Sequence, residues 1–140
     1  MNQANLISQY PSTFYRVSLK AIIRNEKGEV LVNKEHGRDH WSLPGGGWDH
    51  GESDIECLKR ELHEEVGYKG NLTAKVIDVL QEPIWMSSSK AWLLWIVYEV
   101  IPENMEFSVG EESDEIAFVD PIAFKDSEGI AERLVYKFCA

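Results

Sequence analysis

From Arg60 to Gly67 the chain reads Arg-Glu-Leu-His-Glu-Glu-Val-Gly, and Glu64 and Glu65 stand three and four residues after Glu61. On a helix these three carboxylates share one face, while Leu58 and Leu62 turn toward another. Like charges so placed weaken the helix unless cations neutralise them, and Arg60, four residues before Glu64, offsets only part of the repulsion. Hard carboxylate oxygens suit magnesium, with manganese as a substitute; such ions keep several waters and take their remaining ligands from substrate phosphates. The spacing therefore predicts a site for a metal-phosphate complex. An E-x-x-E-E pattern alone is more often a solvated helix face, so the flanking sequence has to decide.

The elements that would position these residues can be read outward from them. Ser53 and Glu56 form an S-x-x-E capping box, Ile55, Leu58, Leu62 and Val66 recur at helical spacing, and Gly67 suits a C-terminal stop, which predicts a helix from Ser53 to Gly67. Upstream, residues 35–51 are loop-like, broken by Pro44 and by Gly45, Gly46 and Gly47, with a short extended piece at Trp41-Ser42-Leu43. Tyr15 to Ile23 reads as a strand and Glu29 to Asn33 as its hairpin partner across a turn containing Gly28. Leu72 to Leu80, Ala91 to Val100 and Glu115 to Val119 read as further strands, and Ser127 to Phe138 as a closing helix capped by Ser127. Strands and helices do not alternate strictly, so an α/β fold with a mixed sheet is expected rather than a doubly wound parallel one.

The 140 residues are expected to form a single domain, 1–140, able to bury a core without disulfides. Cys57 and Cys139 match neither a disulfide framework nor a zinc site, and His50 and His63 lack partners at zinc spacing. No apolar run is long enough to span a membrane and no leader pattern opens the chain, so a cytoplasmic protein without membrane contact is expected. A net charge of −10 argues against a nucleic-acid polymer as partner, although divalent cations can bring carboxylates and a small phosphorylated ligand together. Monomer and homodimer are equally compatible with the sequence.

Gly46, five residues, Glu52, seven residues, then Arg60-Glu61-Leu62-His63-Glu64-Glu65-Val66-Gly67-Tyr68 resembles the Nudix box, G-x5-E-x7-R-E-U-x-E-E-x-G-U, with U an aliphatic residue. All seven fixed identities are present, and Leu43-Pro44-Gly45 precedes them as in many members of that family. Tyr68 departs from the family's usual Ile, Leu or Val, at a position that packs rather than reacts. The resemblance implies an α/β/α sandwich and a hydrolase that cleaves the diphosphate linkage of a nucleoside diphosphate derivative with magnesium. It further implies that Glu61, Glu64 and Glu65 bind the cations with the Gly45 carbonyl as a further ligand, and that Glu52 and Arg60 hold these glutamates by ion pairing. A water would attack phosphorus without a covalent intermediate. Its proton would go to Glu61 or Glu65, ranked first, or to Glu111 or Glu112 in the acidic loop 110–115.

Substrate contacts are less legible. Trp48, in a loop, and Trp85, ahead of a polar Met86-Ser87-Ser88-Ser89 turn, are the tryptophans placed to stack on a base, while Trp41, Trp92 and Trp95 read as packing. Arg38, with Lys34 and His40, could meet phosphate. The short chain resembles nucleoside triphosphate pyrophosphohydrolases. Pro83, fifteen residues after Tyr68, resembles instead the ADP-ribose pyrophosphatases of the family, and a nucleotide sugar is a further alternative. From another class, a non-catalytic nucleotide-binding sensor would be expected to carry a degraded box, and here every charged identity stands.

Overall fold

A computed structural model describes residues 14–80, 83–87 and 90–140. Residues 1–13 of the expected domain, and Ser88 and Ser89 of the expected turn, lie outside the described residues. The chain runs β1 (Tyr15–Ile22), β2 (Val30–Glu35), β3 (Gly45–Gly47), α1 (Asp54–Val66), β4 (Leu72–Val79), β5 (Trp85–Met86), β6 (Ala91–Pro102) and β7 (Ser113–Val119). A 3-10 turn (Pro121–Phe124) and α2 (Ile130–Cys139) follow. One sheet has the order β3-β1-β6-β4, with β5 also on β6; β1 and β6 are parallel and the other pairs antiparallel. The second sheet is the antiparallel pair β2-β7. The mixed sheet expected from the irregular order of elements is therefore present.

Period-two alternation along β1 divides the core. Leu19, Ala21 and Ile23 pack with Cys57, Leu58, Leu62 and Val66 of α1. Ile22 belongs with Trp95, Val97, Phe124, Leu134 and Val135 on the face toward α2. The helices thus cover opposite faces of the sheet.

Helix α1 begins and ends as its sequence predicts. Ser53 Oγ accepts the Glu56 N–H at 3.1 Å. Gly67, in the left-handed region at φ 62°, donates its N–H to the His63 carbonyl at 3.2 Å, which satisfies an end carbonyl without straining a Cβ. Tyr68 is 2% exposed; its ring lies 5.4 Å from that of Phe107, and its hydroxyl donates to the Asn71 carbonyl and accepts the Glu103 N–H. The position does pack, and the hydroxyl gains partners an aliphatic side chain could not use.

Three expectations give way. The 24–28 turn forms, with Leu31 N–H donating to the Ile23 carbonyl at 2.9 Å, but β2 then leaves β1 and pairs with β7. Local turn chemistry specified the bend, whereas burial of Val30, Leu31 and Val32 specified the partner. Within the expected loop, Gly45–Gly47 pairs with β1. The closing helix starts at Ile130 rather than Ser127, because Ser127 Oγ accepts the Gly129 N–H and donates to Glu132 instead of capping.

Candidate active site

The last two turns of α1 bring Arg60, Glu61, Glu64 and Glu65 to the region where β3 passes. Glu61, Glu64 and Glu112 each offer one carboxylate oxygen, all within 4.8 Å of one another. Glu112 arrives on the acidic loop because that loop docks on the helix end. Gly110 N–H donates to the Glu65 carbonyl at 3.1 Å and Glu112 N–H to the Glu64 carbonyl at 3.0 Å, using carbonyls the helix leaves open. Glu111 is exposed and contributes its backbone carbonyl, which accepts from His36. Burial raises the proton affinity of Glu61, and lost hydration followed by the charge of Glu64 raises that of Glu112. Three hard oxygen donors under mutual repulsion fit a hard divalent cation, which would relieve both effects.

Glu65 stands apart from that trio and is 2% exposed. Its Oε1 accepts the Gly45 N–H at 2.7 Å and its Oε2 accepts from Asn33 Nδ2 at 2.9 Å. Burial pushes its carboxyl up to about 7, even though Lys20 and these donors favour the charged form. Asn33 also donates to Ser113 Oγ at 3.0 Å, so one buried amide joins β2, α1 and the start of β7. Its Oδ1 is buried without a hydrogen-bond partner among the described residues.

Arg60 binds the charged groups together. It reaches Glu52 Oε1 at 2.6 Å, the Gly47 carbonyl at 2.9 Å, Glu61 Oε1 at 2.8 Å and Glu64 Oε2 at 3.5 Å. The hydrogen bond from Arg60 lowers the Glu52 carboxyl to about 2. Glu52 and Arg60 therefore form an ion pair beside Glu61 and Glu64. Cys57 is a buried thiol pushed up to about 12 by burial, so it is no thiolate at neutral pH.

Two glycines let backbone and carboxylate meet. A Cβ on Gly46 would lie 2.6 Å from Glu61 Oε2. At Gly45, with φ 133°, it would lie 1.9 Å from the Leu19 carbonyl oxygen. The carbonyl oxygen of Gly45, expected as a cation ligand, accepts from Lys20 Nζ at 3.0 Å.

A cavity of about 800 Å³ opens beside this glycine strand, lined among others by Lys20, Arg38, His40, Ile84 and Trp95. Arg38, expected as a substrate contact, lines this cavity with its Nε 3.1 Å from Glu35. Trp48 and Trp85 are not among the lining residues. Trp48 Nε1 donates to the Glu52 carbonyl, and Trp85 packs edge-on against Trp92 at 5.3 Å. Trp95, read as packing, lines the cavity while 5% exposed. Lys20 and Asn33 were also passed over. A lysine at an inward position of an apolar strand, and an asparagine closing a Val-Leu-Val run, were the available signals.

The NUDIX domain pattern matches residues 14–137. An RNA pyrophosphohydrolase of Ruthia magnifica subsp. Calyptogena magnifica is 41% identical over 73 residues, 51% of this chain and 38% of the relative. The chain thus spans well under half of that relative's length. A MutT protein from Methanosarcina mazei Go1 superposes with a TM-score of 0.68 at 24% identity, covering 92% of this chain and 95% of that one. A MutT NUDIX hydrolase from Burkholderia pseudomallei does so with a TM-score of 0.70 at 21% identity, covering 88% and 96%. At such identities the likeness speaks for the fold: helices on both faces of a mixed sheet.

Proposed function

Because the chain belongs to the NUDIX domain family, we propose that it is, as a single domain, a magnesium-dependent pyrophosphohydrolase that cleaves the diphosphate linkage of a nucleoside diphosphate derivative, with nucleoside triphosphates as first-choice substrates. The observation that carries this reading is the convergence of Glu61, Glu64 and Glu112 within 4.8 Å, next to a glycine strand that also lines the cavity. These carboxylates would hold the divalent cation, magnesium or in its place manganese. When bound, the ion polarises phosphoryl oxygens and offsets the charge that collects on the leaving phosphate.

The chain's own residues supply position and proton transfer. Arg60, clasped by Glu52, restrains Glu61 and Glu64 and keeps their remaining lone pairs turned to the site. Water adds to phosphorus as the anhydride P–O bond breaks, and its proton passes to the Glu61 carboxylate. Glu65 acts through its neighbours: by accepting the Gly45 N–H it fixes the strand against which substrate lies. Arg38 and His40 face the same cavity and offer charge or hydrogen bonds to phosphates.

A second reading of the substrate is favoured by the Ruthia relative, an RNA pyrophosphohydrolase. Internal RNA linkages are diesters, so a pyrophosphohydrolase acting on RNA must act at a terminus. Only that end need enter the cavity, and a net charge of −10 disfavours extended contact with the polymer behind it. The test is release of phosphate or pyrophosphate, with magnesium, from nucleoside triphosphates, ADP-ribose, nucleotide sugars, dinucleoside polyphosphates and a short 5′-triphosphorylated RNA. Turnover of none, with nucleotide binding retained, would replace the hydrolase by a sensor.

A further inference from the structure

Strands β2 and β7 lose register beside the carboxylate trio. Lys34 pairs with Glu115 and Glu35 with Ser113, so Asp114 is left over as the extra residue of a bulge, a device that re-aims a side chain. Asp114 meets the chain as it leaves β2: its Oδ1 lies 2.5 Å from His36 Nδ1, and its Oδ2 accepts the Gly37 N–H at 3.1 Å. The other ring nitrogen of His36, Nε2, meets the Glu111 carbonyl, and the His36 backbone N–H donates to the Glu112 carbonyl at 3.1 Å. One residue thus holds the chain before Glu112, at Glu112 and, through Asp114, after it.

We propose that His36 is a positioning residue of the cation site: by gripping the Glu111 carbonyl and Asp114 it fixes the peptide that carries the Glu112 carboxylate toward Glu61 and Glu64. The inference rests on the reading of these three carboxylates as cation ligands. Arg60 orients Glu61 at 2.8 Å and Glu64 at 3.5 Å, whereas among the described residues no basic side chain forms an ion pair with Glu112. The approach of Glu112 to two like charges is therefore governed by its backbone. The end of α1 supplies one anchor, since the Glu64 carbonyl accepts the Glu112 N–H at 3.0 Å, and His36 supplies the rest. The His36 side chain is 63% exposed and its pairing with Asp114 contributes little to global stability, so what the ring fixes is local. Without it, repulsion turns the Glu112 carboxylate away from its neighbours.

Manganese uptake by the full chain is titrated by electron paramagnetic resonance for the wild type, His36→Ala and His36→Gln, with thermal melts to check folding. His36→Ala keeps the backbone hydrogen bond and removes both ring contacts. It should bind manganese about three- to tenfold more weakly, at or below the lower end of what losing an orienting partner costs, with a near wild-type melting temperature. His36→Gln, whose amide can keep one contact, should lose less. Removing a basic ring would by charge alone tighten cation binding, so weaker binding reports position. Carbon-13 NMR during magnesium titration gives a readout that a merely structural role would not move. The carboxyl signals of Glu61, Glu64 and Glu112 should all shift in the wild type; in His36→Ala those of Glu61 and Glu64 should still shift at saturation, while the Glu112 shift is at least halved. Unchanged manganese affinity in a folded His36→Ala, its failure to fold, or a Glu112 signal that shifts in it as in the wild type overturns the inference alone. Failure of the wild type to take up either ion overturns it together with the hydrolase reading.

Discussion

Arg60 clasps Glu52 through two nitrogens, Nη2 to Oε1 at 2.6 Å and Nε to Oε2 at 3.1 Å. This bidentate pair spans eight residues of sequence and joins the loop before α1 to its second turn, so the guanidinium is already oriented when it meets Glu61 and Glu64.

Breaking that clasp should be felt in activity before stability. In Glu52→Gln the guanidinium loses its charged anchor and leans on Glu61 and Glu64, in competition with the cation. Turnover or cation affinity should fall by about 10–100-fold, the usual cost of losing a group that orients metal ligands. The pair also makes a pH prediction. Arg60 holds the Glu52 carboxyl at about 2, below its ordinary 4.5, so its contribution to stability is complete above 4.5 and is lost as pH falls toward 2. Melting temperatures of wild type and Glu52→Gln should therefore converge as pH falls from about 4.5 toward 2; a constant gap would refute the assignment.

Charge removal within the trio should separate catalysis from folding. Glu64→Gln and Glu112→Gln each take a ligand from a cation whose charge stabilisation is worth several kcal/mol, so turnover should drop roughly a hundredfold or more. The same changes relieve like-charge repulsion, so the cation-free melting temperature should stay level or rise. Near-normal turnover at saturating magnesium would remove the residue from the ligand set.

Asn33 carries a stability prediction because it serves two buried acceptors. Asn33→Ala leaves Glu65 Oε2 and Ser113 Oγ without their shared donor, and should cost about 1–3 kcal/mol in urea unfolding. A loss below a few tenths would mean that water replaces the amide.

The two glycines should fail differently. A Cβ at Gly46 meets the tip of the Glu61 side chain, which can swing aside, so Gly46→Ala should lose turnover with little loss of stability. At Gly45 it meets a backbone carbonyl, in a conformation L residues rarely adopt, so Gly45→Ala should lower the melting temperature as well. Parallel melts and rate assays decide.

Features carried by local spacing were legible in the sequence. Ser53, Glu56 and Gly67 marked α1, and the Arg60-to-Glu65 run marked the carboxylates, because helical geometry converts spacing into proximity. Features that depend on distant chain segments were not. The choice of β7 over β1 as the partner of β2 depends on burial, and Glu112 ranked behind Glu61 and Glu65 because its approach relies on N–H groups reaching the end of α1. Ser127 misled for a related reason: its hydroxyl found Gly129 and Glu132 before it could cap anything. Lys20 escaped notice because one charge in an apolar strand says nothing of which carbonyls it will meet.

Removing the cation should silence the protein without unfolding it. Both core clusters are closed by apolar residues such as Leu19, Leu58, Leu62, Val97 and Val135, all fully buried, and no described element depends on a metal for its packing. Chelation should therefore abolish turnover while far-ultraviolet circular dichroism stays unchanged, and magnesium or manganese should restore the rate. If, as proposed, the ion is held by the folded arrangement of Glu61, Glu64 and Glu112, it should also raise the melting temperature in a concentration-dependent way. At a hundredfold excess over the dissociation constant the gain is about 2.7 kcal/mol. Turnover that survives exhaustive chelation would show that the three carboxylates serve some purpose other than holding a cation.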